Sequence, residues 1–202
     1  MKVATRVERL VAERIEESVA VHRALLASDT LLAQVAEVAA VMGETLRRNG
    51  TVFFFGNGGS AADAQHLAAE LAGKYLLDRP GMAGVALTTN TSCLTAIGND
   101  FGYDLVFARQ LEALGSAGDV AIGISTSGNS ANILRAFGTA RTMRITTAGF
   151  TGATGGKMRP LADYCLCIPS EQTARIQEAH ILLGHVLCEI VEDEMFGGRG
   201  AS

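Results

Sequence analysis

Two residues four apart, His66 and Glu70, interrupt a stretch otherwise rich in Ala and Leu. On a helix that spacing stacks both side chains on one face. Such a pair can hold a metal ion or work as acid and base. Near the other end of the chain Gln177 and His185 lie eight apart with Ile181 midway, in a stripe flanked by Leu182, Leu183, Val186 and Leu187. A histidine in an apolar stripe is more often a hydrogen-bonded core residue than a ligand, so His185 taken alone supports either role. Glu178 and His180 fall on other faces and read as structural. Residues eight apart on an unbroken helix are separated by about 12 Å along its axis. Gln177 and His185 of one copy therefore do not easily meet at one ion, which leads us to expect a site shared between copies in an obligate oligomer.

Two loops carry a second kind of chemistry. Phe55-Gly56-Asn57-Gly58-Gly59-Ser60 marks a switch from an apolar run to a helical pattern. Its glycines allow a sharp turn and close approach of a ligand, and the helix N-terminus beyond offers free N–H groups to an anion. The third glycine of a dinucleotide fingerprint is missing and no G-K-[ST] follows, so a nucleotide is disfavoured. A tight turn and helix cap explains this loop equally well. Ser125-Thr126-Ser127-Gly128-Asn129-Ser130 follows another apolar run; hydroxyls together with helix N–H groups can hold a phosphate without Lys or Arg. Two such turns at strand ends favour a ligand, because open α/β sheets bind there.

The elements needed to position these residues are legible in the hydropathy pattern. Short apolar runs at 52–55, 85–87, 120–124, 144–147 and 164–168 alternate with helical patterns at 60–74, 92–97, 103–114, 132–141 and 174–195. Continuous apolar runs are typical of parallel strands buried on both faces. The expected fold is α/β, a three-layer α/β/α sandwich with a five-stranded parallel sheet, preceded by two helices between residues 7 and 48. Ser28-Asp29-Thr30 supplies cap-type residues between those helices, and Asn49-Gly50 ends the second. The pair reads as packing or oligomer surface within a single domain, 1–50 preceding an α/β core over 51–202.

Composition narrows the function classes. The 202 residues carry 17 Lys+Arg against 21 Asp+Glu, a net charge of −4, with 48% hydrophobic residues and 3 Pro. There is no positive field for nucleic acid or anionic lipid, and neither partner is expected. The uncharged stretch 80–99 contains Thr88, Thr89, Asn90, Thr91 and Ser92, polar groups unsuited to hydrocarbon. The charged N-terminal segment does not read as a secretory signal, so a cytoplasmic address is expected. Cys93, Cys165, Cys167 and Cys188 form no C-x-x-C and read as small core hydrophobes without a disulfide.

The segments GNGGSAADAQHLAAEL from Gly56, LTAIGNDFGYD from Leu94, GDVAIGISTSGNSAN from Gly118 and RIQEAHILLGHVLCEIVE from Arg175 resemble sugar isomerase (SIS) domains, and within them the phosphoheptose isomerases. The resemblance covers nearly the whole chain. It implies conversion of sedoheptulose 7-phosphate to a glycero-manno-heptose 7-phosphate in heptose biosynthesis, by a homotetramer with sites between subunits. It further implies a metal, usually zinc, at His66, Glu70, Gln177 and His185, with occupancy reduced because an amide oxygen is a weak ligand. Substrate contacts are implied for Asn57, Gly58, Gly59, Ser60, Asn99, Asp100, Ser125, Thr126, Ser127 and Ser130, and for Glu70 and Gln177.

An aldose–ketose shift needs a base to carry a proton between C1 and C2 and a group to stabilise the enediolate. Glu70 is the expected base and His185 the expected acid or relay, with the two roles open to exchange. Asn90 stands where the family often has an acid, and Ala174 where some members have Asp. A paralogue that binds the bacterial replication initiator shares Thr173-Ala174-Arg175-Ile176-Gln177, so a protein-binding regulator is one alternative. A ligand-sensing SIS domain or an isomerase of another phosphosugar is the other.

Overall fold

The structure, a computed structural model, describes residues 5–197. Two helices lead: α1 (Arg6–Leu26) starts in a capping box between Thr5 and Glu8, and α2 (Asp29–Arg47) starts where the Ser28 hydroxyl accepts from the Leu31 N–H. Asn49, at φ 60°, turns the chain out of α2, the left-handed conformation asparagine tolerates. The rest alternates: β1 (Val52–Gly56), α3 (Gly59–Ala72), β2 (Gly84–Ala86), α4 (Thr91–Phe101), a 3₁₀ turn at Tyr103–Leu105, α5 (Ala108–Leu114), β3 (Val120–Ile124), α6 (Ala131–Met143), β4 (Thr146–Thr151), β5 (Tyr164–Cys167) and α7 (Thr173–Phe196).

All five strands are parallel, in the order β2-β1-β3-β4-β5. Every residue of β1 and β3 is buried, which accounts for their unbroken apolar runs. Alternate residues feed two cores. Val52, Phe54, Ile122, Phe150 and Leu166 face α2, α3 and α7, whereas Phe53, Phe55, Ala121 and Ile145 face α5 and α6 through Phe107, Leu111, Ile133 and Phe137. This is the expected three-layer sandwich.

Three sequence expectations need correcting. The fourth strand starts at Thr146 and runs to Thr151, because Arg144 takes the left-handed C-cap of α6 at φ 59° and only then does the chain extend. The helical pattern over 103–114 breaks at the buried Val106 and Phe107, with a 3₁₀ turn before them and α5 after. Of the four cysteines, all thiols, only Cys188 is buried; Cys93, Cys165 and Cys167 are half-exposed.

The leading helices differ from one another. α2 buries Leu31, Val35, Val38, Met42 and Leu46. α1 buries only Leu25, and its Val7, Leu10, Val11 and Ile15 face outward. Arg175 ties α1 to α7 by donating to the Arg14 carbonyl at 2.7 Å. No single described helix is long and apolar enough to cross a bilayer; α1 and α2 reach that test only together, across a 77° bend.

His180 confirms its structural reading. It is fully buried beside the Phe150 ring, and its Nε2 lies 3.3 Å from the Thr151 carbonyl. Burial pushes its pKa down to about 4 despite that bond. The unfolded chain therefore binds the extra proton between pH 6.5 and 4, so this contribution is complete above pH 6.5 and lost as pH falls through 4. It amounts to about 3 kcal/mol. Denaturant melts of wild type and His180→Gln should converge in stability as pH drops from 7 to 4.5; a constant gap would contradict a buried neutral imidazole.

Candidate active site

Both glycine- and hydroxyl-rich loops leave the C-terminal ends of adjacent parallel strands, β1 and β3. In the first, Gly56 must be glycine: a Cβ there would lie 2.6 Å from the Ser60 carbonyl oxygen. Gly58, at φ 58°, has open space where a side chain would be, and Gly58 and Gly59 are exposed. Ser60 is buried under this turn. Asn57 is held by Asn132 through reciprocal amide bonds, Nδ2 to Oδ1 at 3.0 Å and Nδ2 to Oδ1 at 2.9 Å in return, and the Tyr103 hydroxyl donates to Asn57 Oδ1 at 3.4 Å.

In the second loop, the hydroxyls of Ser125 and Ser130 share a bond of 2.9 Å, and Ser125 and Ser127 lie 3.5 Å apart. Ser130 is the N-cap of α6 but spends no side-chain bond on capping. Gly128, at φ 65°, lets the loop turn against Gly155, where a Cβ would collide with the backbone. The loop is anchored from β4, Ser125 N–H donating to the Phe150 carbonyl and Gly152 N–H to the Thr126 carbonyl, each at 2.9 Å. The result is a turn rich in hydroxyls ahead of the α6 N-terminus, a chemistry suited to an anion. Asn99 and Asp100, bonded to each other at 2.7 Å, sit exposed at the end of α4. Asn90 caps that helix by accepting from the Cys93 N–H, and Ala174 is exposed in the first turn of α7.

The third component is a cluster between α3 and α7. His66 Nε2 lies 3.0 Å from Glu70 Oε1 and 3.3 Å from His185 Nε2. One ligand atom from each of the three residues falls within 4.8 Å of the others. His66 is half-exposed, while Glu70 and His185 are partly covered. Two imidazole nitrogens and a carboxylate oxygen converging at an accessible point are a donor set that suits a divalent transition metal. The Tyr75 ring lies beside His185, centroids 5.7 Å apart.

The axial-spacing expectation concerned Gln177 and His185 alone. His66, Glu70 and His185 of one chain meet, because α3 and α7 cross at their positions. The Gln177 amide lies against Gly59, where a Cβ would come within 2.7 Å of Nε2. It therefore joins the glycine loop to α7. Leu182, expected in the same apolar stripe, is 41% exposed.

The crossing depends on one glycine. A Cβ at Gly184 would lie 2.6 Å from the methyls of buried Leu67, so the residue before His185 packs directly on the residue after His66. Sequence reasoning missed Asn132, Tyr103 and also Asp63, which precedes His66 by three residues on α3. Burial raises the Asp63 pKa, opposed by His66 and His185, and its Oδ2 has no partner. The i, i+3 spacing to His66 was the available signal; nothing local marks Asn132 or Tyr103.

Comparison with known proteins adds the following. The SIS domain family model matches residues 16–152. Phosphoheptose isomerase of Sulfurimonas denitrificans is 50% identical over 190 residues, covering 94% of this chain and 97% of that protein. The one from Aneurinibacillus thermoaerophilus is 48% identical over 192 residues, covering 95% and 97%. The structure of phosphoheptose isomerase from Neisseria gonorrhoeae superposes with a TM-score of 0.87 at 44% identity, covering 93% of this chain and 99% of that one.

Gly184→Val should lower stability by about 1–3 kcal/mol through overpacking against Leu67. Denaturant melts give the loss. Unchanged stability would mean that the helix contact is not tight.

Proposed function

The chain belongs to the SIS-domain family and, within it, to the phosphoheptose isomerases, and from that premise we propose that it interconverts sedoheptulose 7-phosphate and D-glycero-manno-heptose 7-phosphate through an enediolate, in heptose biosynthesis. It is an aldose–ketose isomerase. The observation that carries the mechanism is the convergence of His66, Glu70 and His185 in a chain that also carries two glycine- and hydroxyl-rich loops at the strand ends. The relatives favour this enzyme over a protein-binding regulator.

In the proposed reaction the phosphate of the open-chain ketose docks in the loop of Ser125, Thr126, Ser127 and Ser130, whose hydroxyls and N–H groups supply charge-assisted hydrogen bonds. Gly58 and Gly59 admit the sugar backbone, with Asn57, Gln177, Asn99 and Asp100 contributing polar contacts and Ser60 shaping the turn beneath. Fixing the distant phosphate converts binding energy into orientation of C1 and C2. Glu70 removes a proton from C1, the C1–H electron pair forms the C1–C2 double bond, and the C2 carbonyl oxygen takes the negative charge. His185 passes a proton between the two oxygens. Return of the carbon-bound proton from Glu70 to C2 then leaves the carbonyl at C1.

His66, Glu70 and His185, with Gln177 reaching from the glycine loop, are the residues that would hold zinc. When bound, the ion would polarise the carbonyl and stabilise charge on the enediolate oxygens. A homotetramer is the proposed assembly, with a neighbouring copy completing the site. Its support is the apolar face of α1, where Val7, Leu10, Val11 and Ile15 are 51–69% exposed, more than a lone soluble helix normally leaves uncovered. The cytoplasm is the compartment this reading implies, since phosphorylated sugars are made and retained there.

The direct test is proton NMR of the protein with sedoheptulose 7-phosphate in D₂O; aldose product carrying deuterium at C2 is expected, and no product from zinc-loaded protein would overturn the proposal. Glu70→Gln should reduce kcat by about 10²–10⁴-fold, the range for losing a positioned base, with substrate binding retained. Ser127→Ala should weaken phosphate binding by about tenfold or more, as expected for one hydrogen bond to a charged group. Isothermal titration with substrate and with the phosphate-free sugar distinguishes that effect from general damage.

A further inference from the structure

The segment between α3 and β2 and the far end of α7 bury two opposite charges that the reaction above does not use. The side chains of Arg79 and Glu192 are 1% and 2% exposed and joined Nε to Oε2 at 2.8 Å. The guanidinium also donates to the carbonyls of Glu70 and Leu71, both at 2.7 Å, and to those of Gly73 and Pro80, both at 3.1 Å. Glu192 in turn accepts the N–H groups of Tyr75 at 3.0 Å, Leu76 at 2.6 Å and Leu77 at 2.7 Å. Burial alone would raise the Glu192 pKa, but these amides and Arg79 outweigh it and hold the carboxylate below its usual range.

The position of this unit relates it to the site. The last carbonyls of a helix have no partner within it, and here Arg79 satisfies two of those of α3, the carbonyls of Glu70 and Leu71. Glu192 lies seven residues after His185, two turns along the same side of α7. It also fixes the backbone of Tyr75, whose ring stands beside His185. One hydrogen-bonded unit thus joins the turn bearing Glu70, the helix bearing His185 and the ring packed on it. A buried ion pair is a poor device for stability, since apolar residues of similar volume commonly do as well. What a fork of five donors supplies is fixed geometry.

We infer that Arg79 and Glu192 are positioning residues of the isomerase, holding Glu70 and His185 at the separation that proton transfer and metal binding require. This inference rests on the reading of Glu70 and His185 as the reacting pair. Neither residue touches substrate.

Arg79→Lys keeps the charge opposite Glu192 but cannot span the carbonyls of α3. Its kcat should fall about 10–100-fold with KM changed less than threefold, and the metal-free protein should bind zinc about 10–100-fold more weakly, the usual effect of losing a ligand's support. The double variant Arg79→Met/Glu192→Leu removes both charges together; it should fold and show the same two losses, and it decides the matter if the lysine variant does not fold. Wild-type kcat and zinc affinity in a folded variant of either kind would overturn the inference. The underlying reading fails separately: full turnover by Glu70→Gln would remove Glu70 as base, while weakened zinc binding in Arg79→Lys would still show that the clamp positions the cluster.

Discussion

The site depends on how closely α3 and α7 approach. At their contact Gly184 presents no side chain to Leu67, which a Cβ would approach within 2.6 Å, and this contact lies between the two histidines that come together. Any larger residue at that crossing would separate His66 from His185 before it disturbed either one directly. The His66–Glu70–His185 cluster is therefore a consequence of helix packing, and the precision of packing sets how closely its groups converge.

The sheet provides the other half of the arrangement. Its five parallel strands direct both ligand loops to one edge, and the apolar runs of β1 and β3 keep that edge rigid because every residue along them is buried. The loops can then be built from glycine and serine, residues with little packing of their own. Gly56 and Gly128 permit turns that a side chain would block, and Asn132 holds Asn57 across from α6 to the first loop. The proposed reaction asks the hydroxyl loop to hold the phosphate and the imidazole–carboxylate cluster to act on the reacting carbons.

Polar groups buried away from the loops serve to hold this geometry. His180 stays neutral under β4, donating to the Thr151 carbonyl at the strand's end, one residue before the Gly152 N–H that bonds the serine loop. Arg79 and Glu192 close the far end of the α3–α7 pair with their charges almost fully covered. The Arg79–Glu192 pair is tolerated because its charges are paired and richly hydrogen-bonded, and in return it defines one arrangement among many apolar alternatives. The apolar face of α1 stands outside this system and is free to serve association.

Much of this was legible in the residues alone. Continuous apolar runs identified the parallel strands, Ser28 and Asn49 marked the bounds of α2, and the four-residue spacing of His66 and Glu70 announced a shared face, because all of these are local consequences of backbone geometry. Sequence placed β4 too early since Arg144 does not look like a left-handed cap, and its conformation is imposed by the turn from α6. Tertiary structure alone decided that His185 joins His66 while Gln177 goes to Gly59, that Asn132 holds Asn57, and that Glu192 reaches across to Arg79. Those pairings link residues 75 to 119 apart in the chain, and no local periodicity encodes which distant faces will meet; that is settled by how the helices pack on the sheet.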